Sequence, residues 1–383
     1  MYNYIPLEQA ADILDSYRKP VNSKERLNLI KGKPLDELFP YYGATGQVGW
    51  IDSFLTDGEY ILLGEDGAPF LNPYAEKAYI IYGKTWVNNH AHILRSKTNN
   101  EFLCYYLNYF NYKNYVSGTT RLKLTQAQMR KIPIPNIPSD EQSRIVASIE
   151  ELFSKLDKAV DTLKTTKEQL EVYRQTILVD AFRAATNSTY LKVGCVCAKI
   201  VDCPHSTPKW EKNGKLCLRT TNFKRGYLDL QSPNYVSEET FNDRNRRIIP
   251  QPGDVLYSRE GSVLGIACTI PSNVYPCLGQ RMMLLRSGEK LNNRYLMHYL
   301  NSPMVTNHVI ATKGGTGSPH INVGDIKEFK IPIPSLEEQS NIVRQIEEQL
   351  SSCDNVEKTV DAALAQADAM RQSILKQAFE GKL

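Results

Sequence analysis

A chain of 383 residues is long enough for two or more domains with cores of their own, and 42% hydrophobic with 23% charged residues is ordinary for a globular protein. No run of about 18 apolar residues occurs, which argues against a membrane-spanning helix. The N-terminal stretch MYNYIPLEQAADIL lacks the basic and apolar regions of a secretory signal, so the eight cysteines read as reduced thiols of a cytoplasmic protein.

In chain order, residues 1–138 hold short β-like runs, GEYILLG and AYIIYG, broken by Gly, Pro and Asn, and a helix is expected over Glu101–Asn108. The pentapeptide KIPIP follows at 131–135. Alternating Ile and Pro cannot continue a helix, and Pro lacks the donor a central strand needs, so KIPIP reads as an extended connector. A long helix is expected from Ser139, where Ser139 and Gln142 fit a capping box. Its apolar seam runs through Ile145, Ile149, Leu152, Leu156, Ala159, Leu163, Thr166, Leu170, Tyr173 and Ile177 at alternating steps of four and three. Residues 187–334 return to short strands, GDVLYS and VYPCLGQRMMLLR, with a helix over Arg294–Asn301. KIPIP recurs at 330–334, and Ser335 with Glu338 opens a second long helix. There the seam is Ile342, Ile346, Gln349, Cys353, Val356, Val360, Ala363, Ala367, Met370 and Ile374.

The order is a duplication. SDEQSRIVASIEEL parallels SLEEQSNIVRQIEEQL, and YRQTILVDAF parallels MRQSILKQAF. LLGEDGA at 62–68 parallels LYSREGS at 256–262, YYLN at 105–108 parallels HYLN at 298–301, and Asp15…Pro20 parallels Asp202…Pro208. The fold class expected is α+β, a tandem repeat of a globular α+β domain followed by a long helix. The boundaries are 1–138, 139–186, 187–334 and 335–383. Neither seam can face water alone, so the two helices are expected to pair as an antiparallel coiled coil. With Ile145 opposite Ile374, Leu152 meets Ala367, Leu156 meets Ala363 and Ala159 meets Val360, large against small. The alternative is that each helix packs only on its own domain.

Charge is divided. Residues 1–138 carry a net +2 and residues 187–334 a net +8, while 139–186 carry −2 and 335–383 carry −4. Basic globular parts on an acidic stalk point to an anionic ligand that the domains touch and the stalk does not. Arg219, Thr220, Asn222, Lys224, Arg225 and Tyr227 in CLRTTNFKRGYLDL mix charge, amide, hydroxyl and ring, a set suited to phosphates and base edges. Catalytic motifs are missing: no GxxxxGK[ST], GxGxxG, GxSxG or HExxH occurs, and LNPYA at 71–75 lacks the second Pro and the Gly-rich loop of an adenine methyltransferase. CVCAKIVDCPH gathers Cys195, Cys197, Cys203 and His205, but its C-x-C spacing is not that of a zinc site, and Cys195 and Cys197 read as one face of a strand. His90 and His92 read likewise. No catalytic or metal residue is assigned.

These residues carry a family resemblance. KIPIP followed by S-x-[ED]-EQ, the twice-written RQ-[TS]-IL…AF, the C-terminal EGKL, and VDCPHSTP, LRTTNF, GYLDL, PGDVLYSREG and GQR in the second half resemble the specificity subunit of type I restriction–modification systems. YYGATGQVGWID and EYILLGEDGA in the first half resemble another type of its target-recognition domain. The resemblance implies two target-recognition domains related by a pseudo-twofold, each followed by a spacer helix, and no catalysis by this chain. It implies double-stranded DNA as ligand, two methyltransferase subunits that hold S-adenosylmethionine, further restriction/translocase subunits, no cofactor here and no membrane. It places near DNA Thr45, Gln47, Asn88, His90, Arg121 and Lys123 in the first domain. In the second it places His205, Thr207, Lys209, Arg219, Thr220, Asn222, Arg259, Gln280, Arg281 and His320, with Arg259 also readable as a structural pair near Glu260. The first domain lacks the H-x-TP and LRTxNF blocks, so its contacts do not map from them. A coiled-coil adaptor with two protein-binding domains is the rival reading, to be told apart by salt-dependent DNA binding.

Overall fold

The computed structural model describes residues 3–185, 188–312 and 319–383, so the expected boundary between 186 and 187 lies outside the described residues. The chain divides into two compact units, residues 1–164 with 361–383, and residues 165–360. Both take a globular part and a stretch of each long helix, Ser139–Ala184 and Leu336–Phe379.

In the first unit the strands are β1 (Tyr4–Pro6), β2 (Ala11–Ile13), β3 (Phe39–Gly43), β4 (Gly46–Ile51), β5 (Thr56–Asp57), β6 (Tyr60–Gly64), β7 (Ala78–Ile81), β8 (Lys84–Val87), β9 (Ala91–Ser96) and β10 (Pro133–Pro135). One antiparallel sheet has the order β2-β9-β6-β7; a second, β4-β3-β8-β5, contains the parallel pair β3 and β8. In the second unit the strands are β11 (Thr189–Lys192), β12 (Cys197–Asp202), β13 (Lys215–Leu218), the hairpin β14 (Phe223–Lys224) and β15 (Tyr227–Leu228), β16 (Tyr235–Val236), β17 (Val255–Ser258), β18 (Ala267–Thr269), β19 (Cys277–Leu278), β20 (Met282–Ser287) and β21 (Lys330–Ile333). Its main antiparallel sheet, β12-β20-β17-β18, repeats the first unit's order element for element. The sheet β16-β13-β19 again holds one parallel pair. The duplication read in the sequence is therefore one of topology.

The KIPIP segments are more than connectors. β10 pairs antiparallel with β1, Ile134 opposite Ile5, and β21 pairs with β11, Ile331 opposite Leu191. A two-stranded ribbon has only edges, so its prolines need donate nothing. Each ribbon closes its domain onto the strand that begins it.

The two short helices lie close to where the sequence puts them, at Asn100–Tyr109 and Asn293–Asn301, and each starts at an Asn cap. Asn99 accepts from the Phe102 amide, and Asn292 from those of Arg294 and Tyr295. The AF pair of the repeat explains itself here. Phe379 packs against Phe102, Tyr106 and Tyr109, and Phe182 packs against Tyr295 and Tyr299, with ring centroids 5.1–5.4 Å apart. Each buried Phe pins the end of a long helix to the short helix of a unit, and aromatic contacts of this kind hold about 1 kcal/mol beyond their buried area.

The long helices depart from the expected seam in one column. Ile149, Leu156, Leu163, Leu170 and Ile177 turn inward, as do Ile346, Cys353, Val360, Ala367 and Ile374, and so do Ile145, Leu152 and Ile342. Val356 and Met370 do not, being 44% and 47% exposed, and Ala159, Tyr173 and Gln349 also face solvent. Their places are taken one residue later by Val160, Arg174, Leu350, Glu357 and Arg371. The reason is pairing within each unit. Arg174 reaches Asp354 at 2.7 Å and Glu357 at 3.0 Å, and Lys167 lies 3.6 Å from Glu357. Arg371 pairs with Asp157 and lies 4.7 Å over the Phe153 ring. One column is apolar and the other is largely ionic; a four-three spacing does not say which flank the second column takes. In each unit the two helix stretches run antiparallel.

The helix starts also differ. Ser335 and Glu338 form the reciprocal capping box, each side chain bonded to the other's amide at 2.9–3.2 Å. Ser139 and Gln142 do not, because Pro138 holds the place of Ser335 and offers no side-chain acceptor. Gln142 instead donates to the Ile137 carbonyl and accepts from Thr98. Gln339 straps the second helix in the same way, through the carbonyls of Pro334 and Lys290 and the Asn292 amide. Among the described residues no helix is long and apolar enough to cross a membrane.

Candidate nucleic-acid interface

In the first unit the β3–β4 turn, the loop after β6, the β8–β9 turn and the segment 117–123 meet at one end of the strands. They surround a cleft of about 680 Å³ whose lining includes Thr45, Asp66, Gly67, Asn88, His90 and Arg121. Thr45 is exposed in its turn; Gln47, exposed on β4, donates to the Gly49 carbonyl and lies outside the cleft lining. Asn88 is buried and accepts from the His90 amide at 2.7 Å, so its side chain shapes the turn. His90 stands in that turn, with Nδ1 3.7 Å from Asp66. His92 does not share its face: it is fully buried in β9, bonded to Asp15 at 2.7 Å and to the Leu124 carbonyl at 3.0 Å. Arg121 is largely exposed and paired with Asp66, its Nε 3.2 Å from where a Cβ on Gly67 would sit. Gly67, at φ +80°, allows that close approach. Lys123 lies 3.2 Å from Glu65.

Beneath this rim is a partly buried network around fully buried His92. The Asp15 carboxylate takes His92 and Gln126 at 2.7 Å, the Ile93 amide and Arg18 at 3.0 Å, and Arg18 also pairs with Glu65. Burial alone would raise the Asp15 pKa, but the hydrogen bonds from His92, Gln126 and Ile93 and the His92 charge outweigh it, and the net effect is a lowered value. Glu65 is also lowered: Arg18, His92 and Lys123 outweigh its burial.

In the second unit the ends of β12, β17 and β20 carry the corresponding loops. Arg259 is buried and grips Asp202 with Nε at 2.8 Å and Nη2 at 3.1 Å, and Asp202 also lies 3.1 Å from His205. Arg259 is thus a structural pair, with Asp202 rather than around Glu260. Asn222 is buried too, accepting from the Arg219 amide and donating to the Asp229 carbonyl; it holds a loop and has no free edge for a base. Gln280 donates to the His205 carbonyl at 2.6 Å and accepts from Thr207 at 3.3 Å. Arg281 is exposed and lies 3.5 Å from Glu260, whose backbone bridges to half-buried His320. Exposed Lys209, and Arg219 stacked at 5.4 Å on Trp210 with half-buried Thr220 beside it, come from neighbouring loops.

Sequence reasoning missed Arg244. It is buried, and its guanidinium donates to the carbonyls of Ser206, Leu278 and Gly279, joining the loop of His205 and Thr207 to that of Gln280 and Arg281. Nothing in the sequence marks a residue whose partners are all carbonyls. Asp15, Asp202, Glu65 and Glu260 were also missed, although each stands in a pair of segments that the duplication repeats. Cys195 lies in a helical turn before β12 and Cys197 begins the strand, so they do not share a strand face. Among the described residues no group of three His, Cys, Asp or Glu is placed to hold a metal ion.

The sequence matches the family described as the type I restriction modification DNA specificity domain twice, over residues 9–172 and 202–366. It is 28% identical to a type I restriction enzyme specificity subunit of Haemophilus influenzae, over 94% of this chain and 91% of that one. It is 24% identical to the EcoDI specificity subunit of Escherichia coli, over 95% and 88%. Among solved structures, the fold resembles a chain from a study of complex assembly and conformational transition of the type I R-M system, with a TM-score of 0.71 at 19% identity, covering 100% of this chain and 98% of the other. It also resembles the HsdS subunit from Thermoanaerobacter tengcongensis, with a TM-score of 0.52 at 20% identity over 100% and 97%.

Proposed function

Since the chain belongs to the type I restriction modification DNA specificity family, we propose that it reads a split, asymmetric target in double-stranded DNA and docks adenine methyltransferase subunits through its long helices. It is the specificity subunit of such a system and not the enzyme. Subunits of this kind act with modification and restriction subunits on DNA. In our reading, S-adenosylmethionine sits on the methyltransferase partners, the complex works in the cytoplasm, and the DNA-reading parts are residues 1–138 and 187–334.

One observation carries the proposal. Two clusters gather beside the same end of the equivalent main sheets in the two units, from their own and neighbouring loops, yet present different side chains: Thr45, His90, Arg121 and Lys123 in one, His205, Thr207, Lys209 and Arg281 in the other. Equal frames with unlike reading edges suit two unlike half-sequences. The charge division supports it, since the net +2 and +8 lie on the globular parts and the negative charge on the helices. The test is methylation mapping of a host genome carrying this chain with its methyltransferase partner. A single non-palindromic motif of two unlike halves around an unread gap is expected; a continuous or palindromic motif overturns the reading.

A further inference from the structure

Arginines crowd the reading edge of the second unit, and their partners sort them. Arg244 is buried under three carbonyls, and Arg259 is locked two-pronged onto Asp202. Gln280, next in the chain to Arg281, uses both ends of its amide on the His205 loop. Arg281 differs. Its Nε lies 3.5 Å from Glu260, and among the described residues Nη1 and Nη2 make no hydrogen bond. The guanidinium lies across Gly261, where a Cβ would come 3.6 Å from Nη1.

The backbone beneath it is strained. Arg281 has φ +65°, and among the described residues the other positive-φ position outside glycine is Asn273, a residue type that tolerates this region. The conformation is held from both sides: the Arg259 amide donates to the Arg281 carbonyl at 3.1 Å, and the next residue, Met282, begins β20 opposite Ser258. Strain kept at a strand end, where glycine would relieve it, is a sign that the side chain is needed there. A guanidinium with its two-amino edge free has the geometry to meet the O6 and N7 acceptors of a guanine in the major groove.

We infer that Arg281 is the specificity-determining side chain of the second domain, reading one guanine of its half-site. The inference rests on the DNA-reading role proposed above. It is tested on the complex of the full chain with its methyltransferase partner, using duplexes in which each guanine of the second half-site is replaced in turn by 7-deazaguanine, which lacks N7. One position should slow wild-type methylation by about tenfold or more. Arg281→Gly removes the side chain and relieves φ, so its unfolding temperature should not fall. Its complex should ignore the 7-deaza substitution and accept other base pairs at that one position. Arg281→Lys, which keeps the charge without the fork, should relax the same position.

The inference is overturned if no guanine of that half-site is sensitive in the wild type, or if Arg281→Gly keeps the wild-type motif. It is overturned if Arg281→Lys restores full discrimination. It is also overturned if both variants are inactive on every duplex, because removing one base reader leaves the phosphate contacts in place. A wild-type complex that methylates no split motif breaks the functional reading instead, which separates the two failures.

Discussion

The two units answer one structural problem with opposite charges. In the first, Asp15 opens the turn that follows β2, Arg18 follows three residues later, and Glu65 follows β6. In the second, Asp202 ends β12, His205 follows three residues later, and Arg259 follows β17. Glu65 and Arg259 hold the same place in LLGEDGA and LYSREGS, yet one is an acid fed by Arg18 and the other a base gripping Asp202. The next residue is an acid in both, Asp66 with Arg121 and Glu260 with Arg281, followed by Gly67 and Gly261, both at positive φ. The strand end holds a partly buried side chain paired with an opposite charge, and that side chain is an acid in one unit and a cation in the other. The sign is then free to differ, and with it the loops stacked above.

The sharpest way to break this comparison is to remove the first acid from each unit. Asp15 is the more enclosed and holds four partners, so Asp15→Ala should cost about 3–5 kcal/mol in the first unit, the range for leaving a buried charge network without its partner. Asp202 is more exposed and His205 beside it faces solvent, so Asp202→Ala should cost less, about 2–3 kcal/mol in the second unit. Hydrogen exchange of the full chain in denaturant, read unit by unit, measures both; equal losses would mean the networks are not alternatives of unequal depth. The sign with pH follows from the lowered Asp15 value. Its contribution is complete above the ordinary carboxylate pKa of about 4 and disappears as pH falls through the lower folded value. Asp15→Asn should flatten the acid limb of the first unit and leave the second unchanged.

A device that is the same in both units supplies the control. Asn108 accepts from the Lys77 and Ala78 amides and donates to the Ala78 carbonyl at 2.7 Å. Asn301 accepts from the Ala267 amide at 3.0 Å and donates to its carbonyl at 2.8 Å. Each pins an edge strand, β7 or β18, to a helix end. Asn108→Ala and Asn301→Ala should each cost about 2 kcal/mol, because backbone groups lose their partners. Asn→Asp should cost more at both sites, since it turns a carboxylate oxygen toward a carbonyl. Parallel losses would support a shared frame; a large loss in one unit alone would not.

These pairs also show what the sequence could and could not tell. The YYLN and HYLN repeat was visible, and so was the AF repeat, because a residue that packs or caps in the frame must be of one type in both copies. The short helices and KIPIP followed from the same logic, although the ribbon pairing of β1 with β10 needed a partner at the far end of the domain, Ile5 opposite Ile134. The ionic column of the long helices was not legible, because Arg174, Glu357 and Arg371 look like solvent-facing residues until their partners are known. Arg259 and Asn222 looked like readers because they are polar and stand in basic loops. Burial made them struts, and burial of a polar side chain depends on contacts far apart in the chain. Arg281 stood in the same kind of loop; its exposed guanidinium and positive φ became visible only with the backbone.

The smallest expected effect lies at Lys77, the residue before Ala78. The Asn device aligns Ala78 with Ala267, so the second unit has Ile266 in this place. Lys77 is 2% exposed, with Nζ at 3.3 Å from the Pro73 carbonyl and 3.5 Å from that of Asn108, and burial pushes its pKa down to about 8. A lysine whose folded value lies below the unfolded value of about 10.4 is held charged at a cost when pH is below both. The cost fades as pH rises from about 8 towards 10.4, so the first unit should gain stability across that window. Lys77→Ile should remove this slope. Near pH 7 it should add only about 1 kcal/mol, because relief of the buried charge is partly offset by two carbonyls losing their donor. Denaturant unfolding of wild type and variant across pH 7–10, followed by hydrogen exchange in the first unit, reads the difference. A wild type with no rise between pH 8 and 10, or a variant less stable at pH 7, would mean that the ammonium and its two carbonyls form a favourable contact in the first unit and that Ile266 is no guide to it.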